Sequence, residues 1–157
     1  MNLSIKVVQV PKPRTKESQK IAFMYAAILV ILALAQLFTF DKLLSLSGSF
    51  GLPGGVTMSH LFVDLVVTFE VLSLPFLLGL KLSQLMRVTS MLFSWFVPLM
   101  WLKLALWLVL TSNTVSNIGL LGTTVKLVPG WWIIFISIAF GILAAWASWG
   151  LWPGKRN

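Results

Sequence analysis

The chain has 157 residues, of which 58% are hydrophobic and only 10% charged, with a formal net charge of +8, one histidine and no cysteine. Soluble domains carry about a quarter of their residues as charges, so a mean hydropathy of +0.94 excludes that class. The missing cysteines exclude disulfide frameworks and leave the chain unable to exchange thiols by itself.

An α-helix rises about 1.5 Å per residue, so about twenty apolar residues cross a hydrocarbon layer of about 30 Å. Four runs meet that length: about 21–40, 61–80, 91–110 and 131–152. They predict an all-α fold, a polytopic membrane protein whose single domain, 21–152, is a four-transmembrane-helix bundle, multi-pass in the cell membrane. A basic tail, 1–20, precedes it and a short tail, 153–157, follows.

The first tail carries Lys6, Lys12, Arg14, Lys16 and Lys20, and its alternating Leu3, Ile5 and Val7 suggest a short extended segment ended by Pro11 and Pro13. A polar tail before a full-length apolar run is not the pattern of a cleaved secretory signal. The positive charge fits anionic lipid at the membrane surface and needs no nucleic acid. Lysine and arginine accumulate in cytoplasmic loops. With the N-terminus inside, Lys81, Arg87, Lys155 and Arg156 join the five tail residues on that side, leaving Lys42 and Lys126 outside. Both termini are therefore expected to be cytoplasmic.

Span one has small residues at Ala22, Ala26 and Ala33, suited to close helix approach, and Gln36 toward its outer end. The loop after it, Leu43 to Phe50, is apolar enough to form a short helix along the membrane surface. The cluster Gly51-Leu52-Pro53-Gly54-Gly55 should break that helix before span two.

Span two is the unusual one, since it carries Asp64 and Glu70, with His60 at its entrance. A charged side chain at mid-helix costs about 2.5–3.5 kcal/mol on insertion scales, so Glu70 should face the bundle interior or a partner. His60 and Asp64, four residues apart, share a helix face. Pro75 should kink the inner half of this span. A short turn near Ser83 makes span three antiparallel, which sets Asp64 opposite Lys103 and Glu70 opposite Val97 and Pro98. Asp64 and Lys103 are thus candidates for an ion pair, with outward snorkelling of Lys103 as the alternative. Glu70 has no cation at its depth. It is expected to be neutral, hydrogen-bonded to a hydroxyl or a freed carbonyl, or matched from outside the chain.

The second outer loop, Thr111 to Gly130, is polar but short of charge. Trp131 and Trp132 open span four, and Trp146, Trp149 and Trp152 close it, matching the two interface levels that tryptophan prefers. Ser137, Gly141 and Ala145 repeat every four residues, a small-residue face for helix packing, with a cofactor slot as the less economical reading. No residue set is assigned as catalytic. One histidine and four carboxylates spread over depth do not make a usual metal site, and there is no phosphate-binding or dinucleotide-binding glycine motif.

Span one running into Phe38 to Pro53, a Glu-bearing second span, and a Gly-x-x-Gly loop before the fourth together resemble the four-helix membrane proteins of the DoxX and MauE type. The loop Ile118-Gly119-Leu120-Leu121-Gly122 stands where MauE-like members often carry Cys-Gly-Cys-Phe-Gly. The resemblance implies a redox setting, because relatives with the cysteines are associated with thiol and disulfide handling. Here Ile118 and Leu120 occupy the two cysteine positions, so the family loop is degenerate. The leading expectation is a non-catalytic integral membrane subunit or assembly factor of a larger, redox-linked complex, with other integral membrane subunits as partners. No resident cofactor is predicted. Two alternatives use Glu70 differently: a quinone- or lipid-binding oxidoreductase component, or a small transporter or proton pathway that also uses Asp64 and Lys103.

Overall fold

In the computed structural model Thr15 starts the first helix, α1 (Lys16–Phe38), through a reciprocal cap: its hydroxyl accepts from the Ser18 amide at 3.1 Å while Ser18 Oγ accepts from the Thr15 amide at 3.4 Å. The structure describes residues 13–112 and 114–152, so most of the predicted basic tail and all of 153–157 lie outside the described residues. After α1 come the short α2 (Phe40–Ser47), a single 3-10 turn (Gly48–Phe50), α3 (Gly55–Leu77), α4 (Gln84–Leu110) and α5 (Trp131–Leu151). The described residues form an all-helical fold in which α1, α3, α4 and α5 are long and apolar enough to cross a membrane.

Helix ends and apolar runs differ for a physical reason. Hydropathy marks the part of a helix suited to hydrocarbon, whereas hydrogen bonding continues through polar turns. Thus α3 begins at Gly55 and includes Thr57 and His60, and α4 begins at Gln84, where the Ser83 hydroxyl accepts from the Met86 amide at 3.3 Å. The apolar segment before α3 is helical, as α2 and the 3-10 turn, and it buries Leu43 and Phe50.

The four long helices pack in the cyclic order α1, α3, α4, α5, each against its two neighbours. Ala22, Tyr25, Ala26, Leu29, Leu32 and Ala33 form the inner face of α1, the three- and four-residue spacing of a single helix stripe. In α5 the buried residues are Ile133, Ser137, Ala144, Ala147, Ser148 and Gly150. Gly141 and Ala145 are only half-buried, and a Cβ on Gly141 would meet nothing within 4 Å. A strict four-residue repeat drifts about 40° per step around a helix of 3.6 residues per turn, so a line drawn through Ser137, Gly141 and Ala145 leaves the packed face. The close approach occurs at Gly150 instead, where a Cβ would overlap the side chain of Ser18 on α1.

Two prolines interrupt the helical ladders, and a side chain from a neighbouring helix bonds to the backbone beside each. Pro98 has no amide hydrogen for the carbonyl of Ser94; the Tyr25 hydroxyl donates to that carbonyl at 2.9 Å. Near Pro75, Ser90 of α4 accepts from the Phe76 amide at 3.1 Å and donates to the Leu72 carbonyl at 2.6 Å. A hydroxyl from the next helix is thereby inserted into the ladder of α3, which satisfies the backbone where water is scarce.

Candidate functional site

Glu70 lies on the inner face of α3 with no exposed surface. Its Oε1 accepts two hydrogen bonds, from Gln36 Nε2 at 3.2 Å and from Trp101 Nε1 at 3.3 Å. Gln36 Nε2 also donates to the Leu120 carbonyl at 3.1 Å. One carboxyl group thus gathers α1, α3, α4 and the loop between α4 and α5. Both donors to the carboxyl are neutral, so the cluster is held by hydrogen bonds and not by an ion pair.

The expected partners of Glu70 were a hydroxyl, a freed carbonyl or a group from outside the chain. The structure supplies an amide and an indole. Gln36 and Trp101 reach it because Gln36 is the last inward position of α1 and Trp101 lies one turn beyond Pro98 on the buried face of α4. Sequence reasoning noted Gln36 but had no depth register between spans one and two with which to pair it. An uncharged polar residue inside an apolar span was the available signal, since such residues seek a partner across helices.

Two buried oxygens in this cluster keep no partner among the described residues: Glu70 Oε2 and Gln36 Oε1. Beside them is a small cavity under α2, lined by Gln36, Phe62, Val66, Trp101, Ile118 and Gly119. It has room for about one water molecule. A quinone ring does not fit that space.

The Ile118–Gly122 loop closes this end of the bundle. Asn117 Oδ1 accepts from the amides of Gly119 at 3.0 Å and Leu127 at 3.1 Å, and its Nδ2 donates to the Gly122 carbonyl at 3.2 Å. Gly119 and Gly122 have positive φ, 79° and 59°, a backbone state that favours glycine. A Cβ on Gly122 would also collide with Thr39 and the Ala35 carbonyl at the end of α1. Ile118 and Leu120 are buried in the core and Leu121 is half-buried against it. The loop is therefore a packed lid, and the positions where the resemblance sets cysteines hold core side chains.

The other singled-out residues do not join this cluster. Asp64 and Lys103 are exposed on the outward faces of α3 and α4, and no ion pair joins them among the described residues. His60 is half-buried one turn before Asp64 on the same helix. Glu70 points inward while Asp64 and Lys103 point outward, so these three do not line a common polar path. Among the described residues, no three His, Cys, Asp or Glu side chains gather in a way that could hold a metal ion.

No protein-family model, curated protein or solved structure matches the chain.

The outward face therefore becomes the second candidate site. Its register is set by contacts between α3 and α4: Phe62 meets Trp101 edge-on with ring centroids 6.1 Å apart, Phe69 stacks on Phe93 at 4.9 Å, and Ser90 bonds to Leu72 and Phe76. In these antiparallel helices, Asp64 and Lys103 lie within about one helical turn of the same depth. Thr57, Leu61 and Thr68 accompany Asp64 on the exposed stripe of α3, while Phe96, Leu99 and Leu106 accompany Lys103 on α4.

Proposed function

We propose that this chain is a non-catalytic integral membrane subunit or assembly factor, multi-pass in the cell membrane with both termini cytoplasmic, that docks another integral membrane chain on the outward face of α3 and α4. The observation that carries this reading is the exposure of Asp64 and Lys103, opposite charges in the interior of two neighbouring long helices. A charge facing hydrocarbon costs about 2.5–3.5 kcal/mol on insertion scales at the helix centre, and Asp64 and Lys103, one to two turns inside their apolar runs, each carry a part of that cost. A lysine stem relieves part of that cost by snorkelling, but an aspartate is too short to do so. A partner that supplies polar groups at this depth removes the cost for both. The basic residues Arg14, Lys16, Lys20, Lys81 and Arg87 support the orientation, and the DoxX/MauE resemblance supports a redox-linked setting.

Glu70 has a structural place in this reading. It is sealed by Gln36, Trp101 and the second loop, and it fixes the scaffold that presents the docking face. The test is gentle extraction of the tagged chain from its own membrane, followed by native mass spectrometry. The expected result is a complex heavier than the chain's own 17.5 kDa, lost in Asp64→Asn and Lys103→Met variants that keep the helical content of the parent. A single chain by mass, fully functional in reconstituted membranes, overturns the reading.

A further inference from the structure

We infer that the partner on this face is a second copy of the same chain, arranged about a two-fold axis along the membrane normal. The inference rests on the docking reading above and adds the identity of the partner.

The argument comes from the symmetry of the charges. A two-fold interface is self-complementary: if residue i touches residue j of the partner, then j touches the partner's i. A membrane allows such an axis along its normal, and rotation about it leaves every residue at its own depth. A pair can form across the axis only between residues of nearly equal depth. The Phe62–Trp101 and Phe69–Phe93 contacts set Lys103 opposite about His60, one helical turn from Asp64, a step of about 6 Å that the long lysine stem spans. The two helices are direct neighbours in the ring, so α3 of one copy comes to lie across from α4 of the other. Each Asp64 then faces the partner's Lys103, and the pair forms twice.

The same pairing is not made within one copy. Both side chains lie on the sides of their helices away from the core, which is where Phe62, Val66, Trp101 and Leu104 point. The charge complementarity is therefore available only between chains. A foreign partner would have to supply a cation and an anion at matching depths, whereas a second copy brings both.

The inference is tested with charge reversals. Asp64→Lys and Lys103→Asp each set like charges against each other at both contacts of a homodimer. Co-expressed with different tags, the two variants restore both pairs, since one chain then supplies two cations and the other two anions. The parent is expected at twice the chain mass, each single variant should show about a tenfold loss of dimer, and the mixture should yield a dimer carrying both tags. Where a reversal prevents insertion, Asp64→Asn and Lys103→Met serve instead, each with about the same tenfold loss. A parent found only with a chain of different mass overturns the second-copy inference and leaves the docking reading standing. A parent that is monomeric overturns both, and a dimer that survives the substitutions overturns the charge-paired arrangement.

Discussion

The hydroxyl of Tyr25 donates across the bundle to the carbonyl of Ser94, the acceptor that Pro98 deprives of its helical donor. A phenol on the first long helix thus completes the backbone of the third.

Replacing that donor gives a coupled prediction. Tyr25→Phe keeps the ring, which also packs at 6.3 Å from Phe140, but leaves the Ser94 carbonyl unpaired, at a cost of about 1 kcal/mol. Pro98→Ala returns an amide hydrogen to the same carbonyl. In the Tyr25→Phe background it should recover part of the loss, whereas alone it should recover nothing. Unfolding of the four variants in detergent measures the coupling, and simple additivity would disprove the account.

Gln36→Leu should cost more than Glu70→Gln. The leucine removes one donor from Glu70 and the donor of the Leu120 carbonyl, leaving two buried acceptors short, a penalty of about 1–3 kcal/mol per group in soluble hosts. The glutamine keeps an oxygen where Oε1 accepts and leaves the Leu120 carbonyl its donor, so its cost should stay below about 1 kcal/mol. Thermal unfolding in micelles ranks the two, and the reverse order would contradict the hydrogen-bond assignment.

Gly122→Ala should detach the loop between α4 and α5. The added Cβ meets Thr39 and the Ala35 carbonyl, and φ of 59° is strained for alanine, which together should cost at least about 2 kcal/mol. Limited proteolysis from the loop side should cut between α4 and α5 in the variant and spare the parent. Equal resistance would show that the lid is not held there.

A pair of glycines in α5 separates packing from pattern. Gly150→Ala forces its Cβ into Ser18 and should loosen the α1–α5 contact, an overpacking cost of about 1–3 kcal/mol. Gly141→Ala has open space and should be neutral or slightly stabilising, because alanine is the better helix former by up to about 1 kcal/mol. Comparable losses at both positions would restore the four-residue stripe as the packing face.

The four long helices, the short surface helix and the breaker before α3 were legible in the sequence because each rests on local chemistry: apolar length, amphipathic pattern and the Pro/Gly cluster. The site was legible only in part. Glu70 stood out as a carboxylate in an apolar run, and the antiparallel turn set Asp64 opposite Lys103, whereas the contacts between α3 and α4 place them about one helical turn apart in depth. Depth alone does not give rotation, however, and the burial of Phe62, Val66 and Trp101 turns both charges outward. The partners Gln36 and Trp101 depended on how α1 and α4 rotate against α3, a property of the whole packed bundle that no single stretch encodes.

The tie from Glu70 through Gln36 to the Leu120 carbonyl changes how any mutagenesis of this protein is to be interpreted. The carboxyl that looks most like a chemical group is also the anchor of a distant surface loop. A phenotype at Glu70 is therefore a report on the shape of that end of the bundle until the loop has been shown to stay in place, and a variant in the loop can mimic the loss of a buried acid.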